Sequence, residues 1–215
     1  TVINLLALEP DFLVIRQGEP LELSLPYETS TVLINGGDGI NEHPTQALLD
    51  CFTLLEHFQA VDLVKKHILI VGDIAHSRVA HSNIKLMARL GARVTLLAPR
   101  CFRPNHNIGQ GYEITVFSEL LSDVDAVMCL RVQKERFSSE TEFDAHEFAE
   151  AYGLSRARLN ALGPSCVVLH PGPMNIGVEI DADVATDARS LINEQVRNGV
   201  AIRAALMEFY DRSRQ

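Results

Sequence analysis

The chain has 215 residues, a hydrophobic fraction of 47%, a mean hydropathy of +0.06 and a formal net charge of −9. Those values describe a globular chain with ample core, forming one large or two small domains. They argue against a nucleic-acid binder, which usually carries a basic face. With no run of about 18 apolar residues and no signal peptide, neither a membrane span nor export is expected. Cys51, Cys101, Cys129 and Cys166 are scattered without a CxxC pair, which reads as reduced thiols in a cytosolic protein. His76 and His81 lie close in sequence, but no carboxylate or cysteine completes a ligand set, so no metal is expected.

Residues 11–16, DFLVIR, read as a buried strand, and residues 31–35, TVLIN, as another, followed by the Gly-rich turn GGDG. Residues 44–58 have helical periodicity, with Leu48, Leu49, Phe52 and Leu55 as the apolar stripe. Two strands and one or two helices are too few for a domain, so this part is expected to belong to a larger sheet.

From residue 67 the pattern alternates. HILIVGD is a strand, and residues 77–90 are a helix capped by Ser77 and ended at Gly91. ARVTLLAP, EITVF at 113–117, DAVMCLR at 125–131 and CVVLH at 166–170 are further strands, with helical segments near 118–122 and 143–162. Apolar strands alternating with helices predict a doubly wound parallel α/β sheet. A long C-terminal helix presents Ile192, Val196 and Val200, then Ile202, Leu206 and Phe209, on its apolar side. Ligands of open parallel sheets sit beyond the carboxyl ends of the strands. Polar residues fall there at 73–78, 131–136 and 170–174.

The most informative run is GDGINEHPTQALLD at 37–50. Pro44 suits a first helical position, where its missing N–H has no partner to lose. His43 and Gln46 are three apart, so both can reach one small molecule at a helix N-terminus, which also favours an anion. Taken alone, His-Pro is equally well the simple start of a helix.

The arrangement resembles the aspartate and ornithine carbamoyltransferase family, in which HPTQ is the form of the aspartate branch. VIR ending at Arg16, GDIAHSRVAHSN at 72–83, LRVQKER at 130–136 and HPGPMNIGVEI at 170–180 match in order, so the resemblance covers essentially the whole chain. It implies two doubly wound parallel-sheet domains, the first incomplete here. Residues 1–58 would be the back part of the carbamoyl-phosphate domain with an interdomain helix, and 59–190 an aspartate-binding domain. Residues 191–215 would be a helix returning to the first domain. The implied reaction is carbamoyl transfer from carbamoyl phosphate to L-aspartate, in the cytoplasm and without metal or cofactor.

By the same resemblance His43 donates to the carbamoyl oxygen and Gln46 accepts from the carbamoyl NH2. Arg16 contacts the phosphate and carbonyl oxygen. Arg78 and Arg131 hold the aspartate carboxylates with help from Gln133, because a guanidinium pairs bidentately with a carboxylate. The loop of Pro171, Gly172 and Pro173 offers backbone carbonyls, with a cis bond expected at Pro171. Glu135 and Arg136 are expected to fix the loop's closed position by ion pairing, not to touch substrate.

The resemblance also implies a homotrimer with shared active sites, and allows a regulatory chain or a dihydroorotase partner. The family's Ser-Thr-Arg-Thr cradle and its Ser and Lys loop are not found. They are expected upstream of Thr1, in a longer polypeptide. Two rivals stay open: an ornithine-type enzyme, against which Thr45, Gly172 and RVQKER speak, and a non-catalytic relative. A dinucleotide-binding dehydrogenase is disfavoured because GDIAHSR lacks the later glycines of GxGxxG.

Overall fold

A computed structural model describes residues 2–21, 29–104, 112–115, 123–132 and 144–213, with the backbone alone at 112–115. After a short helix α1 (Val2–Leu6), strands β1 (Phe12–Gln17) and β2 (Val32–Asp38) pair in parallel, Val14 opposite Ile34. The expected turn at GGDG begins later, because β2 runs through Gly36 and Gly37 to Asp38. Asp38 organises the turn. Its carboxylate accepts from the Leu21 and Glu42 backbone N–H groups and from the Asn35 and Asn41 amides. Burial alone would raise its pKa, but these bonds hold it below the usual carboxylate value.

Helix α2 (Pro44–Phe58) has the predicted bounds but not the predicted face. Leu48 and Phe52 are each 38% exposed, whereas Gln46, Asp50 and Thr53 are buried beside Leu49, Cys51 and Leu54. Counting apolar residues misplaces the face because its polar members bond to one another inside the protein.

The second sheet has the order β5-β4-β3-β6-β7 and is parallel throughout. Its strands are β3 (His67–Val71), β4 (Arg93–Leu97), β5 (Tyr112–Thr115), β6 (Ala126–Cys129) and β7 (Val167–Leu169). Every residue of β3, β6 and β7 is buried, as helices covering both faces require. Alternate residues feed two cores: Ile68, Ile70, Leu96 and Met128 on one face, Leu69, Val71, Leu97 and Cys129 on the other.

Helix α3 (Arg78–Arg89) begins where expected, with the Ala80 N–H donating to Ser77 Oγ at 3.2 Å, and Gly91 follows it. The helical segment expected over 143–162 is two helices, α4 (Ala145–Tyr152) and α5 (Arg156–Ala161). The break is at Gly153, where a Cβ would lie 2.6 Å from the Val178 carbonyl, and Ser155 caps the second helix. The expected helix near 118–122 lies outside the described residues.

After α6 (Ala182–Ala185), α7 (Ile192–Arg212) closes the chain and packs on α2. Its buried seam differs from the predicted apolar side. Val196 and Val200 are 69% and 73% exposed, and the inward residues are Ile192, Gln195 and Gly199, with Ile202 and Leu206 half-buried below. That seam keeps the helical spacing, but Gln195 and Gly199 hide it from a hydrophobicity count.

Candidate active site

Arg16, His43, Gln46, Arg78, Arg131, Pro171, Gly172 and Pro173 line one cavity of about 270 Å³. They come from β1, the first turn of α2, the start of α3, and the segments after β6 and β7. The chain winds from β3 to β4 on one side and reaches β6 on the other, so the cavity opens at the switch point of the sheet. Gln133, Glu135 and Arg136 lie outside the described residues.

His43 is the N-cap of α2 and is buried, but its ring makes no capping bond. Its position is held by the backbone: its N–H donates to Ser82 Oγ at 2.9 Å, and Ser82 is held in turn by Glu42. The ring is thereby left to face the cavity. Burial lowers its pKa first, and the positive charges of Arg16, Arg78 and Arg203 lower it further, to about 4. His43 is therefore a neutral imidazole at pH 7, able to donate from one nitrogen without carrying charge.

Arg16 reaches across β2, with Nη1 donating to the Gly36 carbonyl at 3.4 Å. Arg78 lies over Gly37 and donates to the Gly39 carbonyl at 3.3 Å. A Cβ at Gly37 would meet the Arg78 guanidinium at 3.0 Å, and its φ of +113° strains any other residue. Gly37 therefore decides how closely Arg78 can lie to the first strand pair.

Arg203, on α7, also lines the cavity and was not expected there. A lone arginine on the polar side of a C-terminal helix carries little signal. Gly199, one turn earlier, was the available one: a Cβ there would lie 2.6 Å from Arg203 Nη1 and 3.3 Å from Leu49. The missing side chain lets α7 approach α2 and lets Arg203 Nη1 donate to the Gly199 carbonyl at 2.8 Å. A second cavity of about 220 Å³ shares Arg16, His43 and Arg203 and is walled by Val14, Ile34, Leu206 and Met207.

Below Gln46 the polar face of α2 is closed. Gln46 Nε2 donates to Asp50 Oδ1 at 2.9 Å, Gln195 Nε2 to the same oxygen at 2.7 Å, and Asn83 Nδ2 to Oδ2 at 2.8 Å. Asp50 is fully buried. Burial raises its pKa to about 6, although the three amides pull the other way. The network continues, since the His170 N–H donates to Gln195 Oε1 at 2.9 Å.

His170 sets the loop that follows. The Gly172 N–H donates to His170 Nδ1 at 2.9 Å, so the proton sits on Nε2, which donates to Glu179 Oε1 at 3.3 Å. Glu179 also accepts from the Asn175 N–H, and the Asn175 amide donates to the Val132 carbonyl. The cis bond of the loop is at Gly172–Pro173, not at Pro171 as expected. A Cβ at Gly172 would meet nothing within 4 Å, so open space adjoins the loop there.

The three buried cysteines have thiol pKa values raised by burial, Cys166 to about 12, so none is a ready nucleophile. Among the described residues no helix is long and apolar enough to cross a membrane.

Two family models match the chain. The aspartate/ornithine carbamoyltransferase carbamoyl-P binding domain covers residues 1–56, and the Asp/Orn binding domain of the same family covers 64–210. The aspartate carbamoyltransferase catalytic subunit of Maricaulis maris is 46% identical over 213 residues, 97% of this chain and 65% of that protein. That of Beutenbergia cavernae is 44% identical over 220 residues, 96% of this chain and 66% of that protein. The chain thus spans just under two thirds of the length of these relatives. Among solved structures, Trypanosoma cruzi aspartate transcarbamoylase in complex with carbamoyl phosphate and aspartate superposes with a TM-score of 0.77 at 26% identity. That match covers 96% of this chain and 68% of the other. The catalytic subunit of M. jannaschii aspartate transcarbamoylase gives 0.74 at 26% identity, covering 98% and 70%.

Proposed function

The chain belongs to the aspartate/ornithine carbamoyltransferase family. On that premise we propose that the complete protein transfers the carbamoyl group of carbamoyl phosphate to the amino group of L-aspartate. The products are N-carbamoyl-L-aspartate and phosphate. One observation carries the reading: a single cavity gathers the HPTQ turn, the two arginines expected to hold aspartate and the HPGP loop.

The chemistry asks for positioning and charge stabilisation, and needs no metal, cofactor or covalent intermediate. The amine nitrogen bonds to the carbamoyl carbon, the carbon–oxygen bond to phosphate breaks, and the amine gives up a proton. In this reading neutral His43 donates to the oxygen that gains negative charge. Gln46 Oε1 accepts from the carbamoyl NH2, and Arg16 attracts phosphate and carbonyl oxygen. Arg78 and Arg131 fork onto the two carboxylates, with Gln133 assisting. The carbonyls of Pro171, Gly172 and Pro173 accept from substrate nitrogen.

The same reading divides the chain at residues 1–58, 59–190 and 191–215, and its support is the packing of α7 back onto α2. It makes the complete protein a cytoplasmic homotrimer with shared sites in pyrimidine synthesis. The test is to supply the complete purified protein with carbamoyl phosphate and either aspartate or ornithine. Carbamoylation of aspartate is expected. Carbamoylation of ornithine alone would overturn the assignment, and no turnover of either would point to a non-catalytic relative.

A further inference from the structure

We propose that Asp50 is a positioning residue acting through Gln46. Its carboxylate turns the Gln46 amide so that the cavity meets a carbonyl oxygen, and it ties that amide through Gln195 to the base of the 171–173 loop. The identity of the ligand group concerned, the carbamoyl NH2, rests on the carbamoyl-transfer reading.

Asp50 is fully buried and is not among the residues that line the cavity, so it would act on a ligand there only through Gln46. An ionised carboxylate only accepts hydrogen bonds. Each of the three amides bonded to it must therefore point its nitrogen inward. Gln195 is fixed from its other end as well, because a backbone N–H can only donate, and that of His170 reaches Gln195 Oε1. Donors thus run toward Asp50 from the cavity side and from the loop side alike.

The three amides are not equally held. Turning Gln195 over would break its bond from His170, and turning Asn83 over would break its Nδ2 bond to the Val79 carbonyl at 3.1 Å. Gln46 has its other end at the cavity, so Asp50 alone decides which atom it presents there. A position needed only to fill the core would be met at lower cost by an apolar side chain, since burying a carboxylate among neutral donors is unfavourable. The raised pKa of Asp50 reflects that cost.

The test compares carbamoyl phosphate with acetyl phosphate, which carries a methyl group where the other carries NH2. The ratio of their dissociation constants for the complete protein reports the acceptor in the cavity. Inorganic phosphate binding checks that each variant keeps its anion site. Asp50→Ala should lower the preference for carbamoyl phosphate about tenfold, the loss of roughly one hydrogen bond. A water filling the gap can donate as readily as accept, so it does not restore the orientation.

Gln46→Leu should lose the same preference, and adding Asp50→Ala to it should change the ratio by less than about twofold. Asp50→Asn should regain it. Its oxygen can serve Gln46 and Gln195, while Asn83 gives up its bond to the Val79 carbonyl and turns its unpartnered buried Oδ1 to the new amide, one bond exchanged for another. If Asp50→Ala does not fold, Asp50→Thr takes its place, its hydroxyl bonding back to the carbonyl of residue 46. An unchanged ratio in a variant that still binds phosphate overturns the proposal, as does multiplication of the Asp50 and Gln46 effects. If the unmutated protein shows no preference, the carbamoyl reading itself falls, before any variant is examined.

Discussion

Four arginines, Arg16, Arg78, Arg131 and Arg203, converge on the cavity wall, whereas one helical turn beneath it the carboxylate of Asp50 accepts from three side-chain amides. Both regions use the same helix, α2, whose first turn carries His43 and Gln46 and whose second carries Asp50. In the wall, positive charge and burial drive the imidazole of His43 down to about 4 and keep it neutral. In the core, burial drives the carboxyl of Asp50 up to about 6, against the pull of three amides and of the Arg203 charge. The wall gathers positive charge where an anionic ligand would sit. The core settles its charge with neutral dipoles, which fix orientation without competing for the ligand.

The sharpest way to break this comparison is at His43. His43→Ala removes a neutral donor from the wall, and loss of such a donor to a developing oxyanion costs about 3 kcal/mol, or on the order of a hundredfold in kcat. The aspartate KM should move much less. Steady-state kinetics on the complete protein decide it, and an unchanged kcat would return His43 to the role of a helix cap.

Next in size is the division within the wall. On the proposed reading, Arg131→Ala or Arg78→Ala removes one fork from a dicarboxylate, and a bond to an ionised group contributes about 1.5–3 kcal/mol, so aspartate affinity should fall roughly tenfold to a hundredfold. Carbamoyl phosphate affinity should change little, since its expected ligands are Arg16, His43 and Gln46. Titration of both substrates checks this. Equal weakening of both would show that the arginines act as a common field and not as separate forks.

The smallest net effect is the pH dependence of stability, where the two regions oppose each other. His43 has a depressed pKa in the folded protein, so its contribution is full above about 6.5 and is lost as pH falls toward about 4. Asp50 has a raised pKa, so its contribution is full below 3.8 and is lost as pH rises toward about 6. Each spans on the order of 3 kcal/mol and the windows nearly coincide, so the sum should be small. His43→Gln should unmask Asp50, making stability rise as pH is lowered from 6.5 to 4 relative to the unmutated protein. Denaturant unfolding across that range measures it, and parallel pH profiles would show that the paired titrations do not oppose.

The sheet was legible because its chemistry is one-dimensional. Residues 67–71, 126–129 and 167–169 are short apolar runs that belong to strands buried on both faces, and the polar segments after them fall at the carboxyl ends that line the cavity. Helix starts were legible for the same reason, Pro44 and Ser77 acting on their own first turns. The helix faces were not. Leu48, Phe52, Val196 and Val200 look like core and are exposed, while Gln46, Asp50 and Gln195 look like surface and are buried.

The sequence by itself determined the alternation of strands and helices, the parallel sheet, and which polar segments meet at its carboxyl edge, because these depend on local periodicity and on chain direction. Tertiary structure alone decided that Arg203 joins the cavity, that Gly199 lets α7 approach α2, and that Asp50 holds Gln46, Asn83 and Gln195 together. A buried polar residue is tolerated only when its partners are in place, and two of those three partners lie 33 and 145 residues away along the chain.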